Sequence, residues 1–111
     1  MKIENDIKNG VEALIDVAKK SYEKWSNGGD TIRSEMYERY CDRIKYNPGS
    51  KYIKILSSGS VHSFVVNTDK DKKFKRGDIL KAASYNAPAR NFARGNVLDG
   101  SLENVSWTGV V

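Results

Sequence analysis

Apolar positions in the first part of the chain recur at helical spacing. Ile3, Ile7, Val11, Leu14, Ala18, Tyr22 and Trp25 are separated by 4, 4, 3, 4, 4 and 3 residues, which predicts one stripe along a helix with Glu, Asp and Lys opposite. The near-heptad interval is that of a seam packed against another helix. Gly10 weakens such a helix by about 1 kcal/mol, so packing has to compensate. Asn27-Gly28-Gly29 favours a left-handed stop, and Asp30 is a candidate N-cap for a second helix reaching about Tyr46. The apolar face of that helix is Ile32, Met36, Tyr37, Tyr40, Cys41 and Ile44, and Asn47-Pro48-Gly49 ends it. Two helices joined by a short Gly turn predict an antiparallel hairpin.

From Lys51 the period changes from helical to alternating. Tyr52-Ile53-Lys54-Ile55-Leu56 and Val61-His62-Ser63-Phe64-Val65-Val66 are β-rich runs flanking Ser57-Ser58-Gly59-Ser60. Residues 69–73 alternate in charge like a hairpin tip. A third strand is expected over 79–84, after the Arg76-Gly77-Asp78 turn, and residues 86–96 read as an irregular loop. Val97-Leu98 and residues 102–105 flank an Asp99-Gly100 turn, and residues 107–111 form a closing strand. The expected fold class is α+β: an N-terminal antiparallel helix hairpin followed by a small antiparallel β-sheet, in an oligomer. The 111 residues allow a single domain, with a helical assembly part over 1–46 and a basic β part over 47–111.

Charge sharpens that division. Residues 1–46 hold nine basic and nine acidic side chains, whereas residues 47–111 hold ten and five and so carry the whole net +5. Eight basic and two acidic residues fall within 70–94. A positive surface of this kind attracts phosphates. The lysines of 70–75 alternate with acids and read as a solvated loop, whereas Lys81, Arg90 and Arg94 stand among apolar and aromatic residues. Apolar runs are too short for a membrane-spanning helix, and the N-terminus lacks the pattern of a secretory signal, so a soluble intracellular protein is expected.

Catalytic constellations are not visible. His62 is the sole histidine and reads either as a structural strand residue or as a hydrogen-bonding ligand contact. Cys41, the sole cysteine, reads as a small buried hydrophobe. No phosphate-binding glycine loop, paired carboxylates or metal-ligand spacing occurs, so neither a cofactor nor a metal is expected. The richest segment is 81–96. Arg90 and Arg94 are four apart and could form a fork for phosphate oxygens. Tyr85 and Phe92 offer faces for a purine, Asn86, Asn91 and Asn96 offer amides for ribose or base edges, and Lys81 adds charge. An ordered loop held by its own Asn and Arg bonds is the other reading of the same residues.

Four blocks carry a resemblance. They are Ser60-Val61-His62-Ser63-Phe64-Val65, the run Gly77-Asp78-Ile79-Leu80-Lys81-Ala82-Ala83-Ser84-Tyr85, then Ala87-Pro88-Ala89, and Ala93-Arg94-Gly95-Asn96. Together they resemble a family of small phage proteins, most closely the Thoeris anti-defence proteins of the first type described, over about forty residues of the basic half. That family's pattern has Trp where this chain has Tyr85, and the N-terminal helices match in character only. The resemblance implies a nucleotide sponge, not an enzyme, in the host cytoplasm. Its ligand would be glycocyclic ADP-ribose, the messenger of bacterial TIR-domain enzymes, with cyclic oligonucleotides held at separate sites in some members. It also implies a homo-oligomer, dimer or hexamer, which the seam of the first helix would assemble. The candidate ligand-binding residues are His62, Lys81, Tyr85, Asn86, Arg90, Asn91, Phe92, Arg94 and Asn96. A single-stranded nucleic-acid-binding phage protein is the alternative, using the same arginines and aromatics along an open groove.

Overall fold

The computed structural model describes residues 5–25, 38–57 and 59–110, without the side chain of Trp25. The expectations for Ile3, for the Asn27-Gly28-Gly29 turn, for the Asp30 cap and for Ile32, Met36 and Tyr37 lie outside the described residues, as do Ser58 and Val111.

Helix α1 spans Asn5–Trp25. Its stripe is real: Ile7, Val11, Leu14 and Ala18 are fully buried and Tyr22 nearly so. Among the described residues the stripe meets helical structure at Tyr40, in the segment 38–43, where the Tyr40 ring stacks on Tyr22. It lies on the chain's own β structure, in one cluster with Tyr40, Ile44, Ile53, Ile55, Val65, Ile79, Val97, Val105 and Val110. Burying each of these large side chains contributes about 1.5–3 kcal/mol, which outweighs the modest charge-rich helix propensity around them. Arg76 ties the first turn of α1 to the β part through paired bonds of 2.9 and 3.0 Å to the Asp6 carboxylate.

The second helix was expected to reach Tyr46, and here the fold departs from expectation. Residues 38–43 are helical, but Ile44–Pro48 is strand β1. Ile44, Lys45, Tyr46 and Asn47 alternate buried and outward, and β1 pairs antiparallel with β2 (Tyr52–Ser57) in a register running from Ile44 opposite Ser57 to Pro48 opposite Ile53. Pairing wins over the weak helical period, and Pro48 is tolerated because β1 is an edge strand. Strand β3 (Ser60–Val66) and the short β4 (Ile79–Leu80) complete a four-stranded antiparallel sheet in the order β1-β2-β3-β4. Two small hairpins follow, β5 (Ala82–Ser84) with β6 (Ala87–Pro88), and β7 (Val105–Ser106) with β8 (Gly109–Val110). The expected α+β architecture is therefore corrected. Among the described residues the fold is mostly β, three small sheets with two helical segments, and not a helix hairpin leading into one sheet.

Both faces of the main sheet are covered. α1 covers one, and Phe64, Val66, Phe74 and Leu80 form a second cluster on the other with Tyr52, Val61, Ala82 and Ala93 at its margin. The segment expected to be an irregular loop is zipped to the sheet: the Ile79 N–H donates to the Gly95 carbonyl at 2.9 Å, and the Arg94 N–H to the Ile79 carbonyl at 2.7 Å. Gly95 has φ 146° and its Cα lies against the Ser101 carbonyl, leaving no room for a side chain. The expected hairpin at Asp99-Gly100 is only a tight turn closed by the Asn96–Ser101 bridge, and the closing strand is Gly109–Val110, with Trp107 in the turn before it.

Candidate functional site

A one-residue slip in the sheet decides where His62 goes. Ile55 lies opposite Ser63, yet Leu56 lies opposite Val61, so His62 is the extra residue of a bulge. Strict alternation would put it beside Phe64 and Val66; the bulge re-aims it to the α1 side. There it is buried, with Nε2 donating to the Ser106 carbonyl at 2.6 Å and Nδ1 accepting from the Ser63 hydroxyl at 2.8 Å. A carbonyl can only accept, so Nε2 carries a proton; in the neutral ring Nδ1 is then the acceptor of the Ser63 O–H. Burial pushes its pKa below the ordinary value, against the smaller opposing pull of the Ser106 carbonyl.

His62 forms one wall of a cleft of about 470 Å³. Aromatic rings line it: Tyr22 and Tyr40 stack at 4.7 Å and 10°, and Trp107 stands edge-on to Tyr22 at 5.0 Å and 84°. The rings are pinned to three elements, because the Tyr40 hydroxyl donates to the Trp107 carbonyl at 3.1 Å and the Trp107 N–H donates to the Ser21 hydroxyl at 3.2 Å. Burial raises the Tyr40 phenol to about 12, partly offset by a hydrogen bond with Ser57, so it keeps its proton. Arg39 and Arg43, one helical turn apart, also line the cleft and are exposed. Among the described residues no hydrogen bond or ion pair engages either guanidinium and no acidic residue lines the cleft. Two cations with no partner among the described residues thus stand one turn apart beside a wall of rings, an arrangement that could receive a phosphate attached to a planar group.

The residues singled out in 81–96 go to several places. Arg90 grips the Asp71 carboxylate with two bonds of 2.9 Å and meets the Tyr52 hydroxyl at 2.5 Å. Arg94 is buried and stacks on Phe92 at 3.9 Å; its Nη2 reaches Asn91 Oδ1 at 3.3 Å, whereas Nε and Nη1 have no partner. The two guanidinium groups thus hold different neighbours and form no shared fork, because the intervening backbone is not helical and four residues do not return to one face. Tyr85 and Asn86 are the turn of the β5–β6 hairpin, where the Lys54 ammonium sits 4.1 Å from the Tyr85 ring and 3.2 Å from Asn86 Oδ1. Lys81 is exposed just before that hairpin. Asn96 is a staple: its amide donates to the Arg76 carbonyl and Asp78 Oδ1, and its oxygen accepts from the Leu98 and Asp99 N–H groups. Of the nine, His62 alone lines the aromatic cleft. Arg39 and Arg43 were missed, although Arg39-Tyr40-Cys41-Asp42-Arg43 shows their one-turn spacing; they lay in the half whose charges cancel. Cys41 beside them is half-buried. Among the described residues no group of three His, Cys, Asp or Glu is placed to hold a metal ion, and no helix is long and apolar enough to cross a membrane.

Fold and site together define a small, mostly β chain with an aromatic cleft edged by two arginines. Over residues 1–111 the chain matches the family of unknown function DUF7717, and it belongs to that family. No curated protein and no solved structure matches it.

Proposed function

We propose that this chain binds and sequesters a small phosphate-bearing nucleotide of the cyclic ADP-ribose type, without breaking its bonds. The observation that carries the reading is the pair of unengaged guanidinium groups, Arg39 and Arg43, at the edge of the aromatic cleft. The resemblance of the 60–65 and 77–96 blocks to the Thoeris anti-defence proteins supplies the candidate ligand, glycocyclic ADP-ribose. A charge-assisted bond from each arginine contributes about 1.5–3 kcal/mol, and stacking of the base about 1–3 kcal/mol more. That approaches the roughly 8 kcal/mol of a micromolar complex. His62 and Tyr40, two titratable groups in the wall, are held in their neutral forms by burial. Such a wall suits ground-state binding more than proton transfer.

Calorimetric titration with glycocyclic ADP-ribose, followed by denaturation and recovery of the ligand, tests the reading. Intact ligand and a loss of about 10–150-fold in affinity for Arg43→Ala are expected, the range that one charge-assisted bond implies. Cleaved ligand, no heat, or unchanged affinity in Arg43→Ala refutes it. The alternative, single-stranded nucleic acid in an open groove, predicts affinity that falls steeply with salt.

A further inference from the structure

A second concavity lies on a different part of the molecule, at the ends of β2 and β3. This recess, of about 590 Å³, is lined by Ser50, Lys51, Thr68, Lys70, Asp71, Lys72 and Arg90. We propose that it is a binding site for a compact chain of phosphates, such as a linear triphosphate.

The charge balance is the first argument. Four cations and one carboxylate line the recess, and that carboxylate is already spent. Asp71, its side chain only 2% exposed, receives both bonds from Arg90 and the N–H groups of Lys73 and Phe74 at 2.9 and 3.0 Å. Arg90 holds its carboxyl far below the usual carboxylate range, so it stays ionised and occupied. Lys51, Lys70 and Lys72 have no ion pair among the described residues, and Asp69, the other acid of the loop, does not line the recess. Three lysines therefore line one hollow with no carboxylate among the described residues left to pair with them; the Lys51 ammonium lies 5.4 Å from the Tyr52 ring.

Rigidity is the second argument. The loop that presents the lysines is fixed by bonds that do not use their ammonium groups. The Lys70 N–H donates to Thr68 Oγ1 at 3.1 Å, the Asn67 amide to the Gly49 carbonyl at 2.9 Å, and the Asn67 N–H to the Lys51 carbonyl at 2.8 Å. Lys73, by contrast, is turned away to the Arg90 carbonyl at 2.6 Å. Ordering the backbone in advance lowers the entropy that a ligand must offset. Thr68 accepts that N–H through its oxygen and keeps its own O–H to donate, as does Ser50, so hydroxyls complement the ammonium groups. Among the described residues no aromatic side chain lines the recess to stack a base. A chain of closely spaced phosphates brings more negative charge and more acceptor oxygens to the lysines than a single orthophosphate does.

The proposal does not depend on the aromatic cleft. Titrate the full chain with inorganic triphosphate and with orthophosphate at one ionic strength, then repeat with K51A/K72A, with K45A as a surface-charge control, and with R39A/R43A. Triphosphate should bind at least about 30-fold more tightly than orthophosphate, and K51A/K72A should weaken it about tenfold or more. K45A and R39A/R43A should leave it within about twofold. Equal loss in K45A shows only diffuse charge, and loss confined to R39A/R43A moves the ligand to the cleft; either result overturns the proposal. So does an oligonucleotide that binds more tightly than triphosphate and depends equally on Lys51 and Lys72.

Discussion

Replacing Gly10 with alanine sets helix propensity against packing, and the two give opposite signs. In a solvent-exposed helix interior, Gly→Ala stabilises by about 0.8–1 kcal/mol. At position 10 a Cβ would stand 2.5 Å from the Val97 carbonyl oxygen and 2.9 Å from the Val97 Cβ. The nearest of these is backbone, and Val97 is itself held by its N–H bond to the Gly77 carbonyl at 2.9 Å, so the loop cannot yield cheaply. Relieving the clash means lifting α1 off residues 96–98 or shifting that loop, and overpacking of this kind costs typically 1–3 kcal/mol or more. The net expectation is destabilisation by up to about 2 kcal/mol, at roughly 4 °C in Tm per kcal/mol for a chain of this length. Urea unfolding followed by circular dichroism reads the sign directly through the midpoint. A midpoint raised in Gly10→Ala refutes the close packing of α1 on the Val97 backbone.

Leu14 is fully buried in the same helix, so Leu14→Asp, which places a charge in that core, should cost more than about 4 kcal/mol and abolish the cooperative transition; a folded variant with a normal midpoint would show that the stripe is not buried. His62 gives a pH dependence whose sign is fixed: its folded pKa lies below the ordinary 6.5, so the unfolded chain takes up the proton first and stability is lost as pH falls below about 6.5. The slope from this one group cannot exceed about 1.4 kcal/mol per pH unit, and His62→Gln should flatten the stability curve in that window, whatever its absolute cost; parallel curves for the two proteins would count against a buried neutral ring. Trp107 closes the cleft, so ligand addition should shift its fluorescence in the parent protein and not in Arg39→Ala/Arg43→Ala, as a titration at fixed protein concentration will read.

What the sequence displayed of the fold follows from how local each signal was. The α1 stripe needed only its own spacing to be recognised, and β2 and β3 only their alternation. The partner of the stripe was misread because a near-heptad spacing describes a narrow apolar face without saying what covers it; Ile53, Ile55, Val65 and Ile79 do so here. Ile44–Pro48 was misread for a different reason. Ile44 fits both a helical period continued from Tyr40 and an alternation continued into Tyr46, and only its pairing with β2 decides between them.

The site was less legible than the fold, and the bulge explains part of this. His62 reaches the cleft only because the β2–β3 register slips at Leu56, a property of two strands together that neither sequence run announces. The cleft's remaining walls come from Tyr22 in α1, from Arg39, Tyr40 and Arg43 just ahead of β1, and from Trp107 in the β7–β8 turn, stretches that share no motif. The 81–96 segment, dense in the residue types that bind nucleotides, uses much of its polarity on itself, through Arg90 on Asp71 and Asn96 on its own turn. Residue type alone therefore did not show which of these side chains are already engaged, and gave no weight to Arg39 and Arg43. What separates Arg90 from Arg39 and Arg43 is occupancy: a guanidinium already gripping a carboxylate has little left for a ligand, and one with no partner among the described residues, at the edge of a cleft, has all five of its donors to offer.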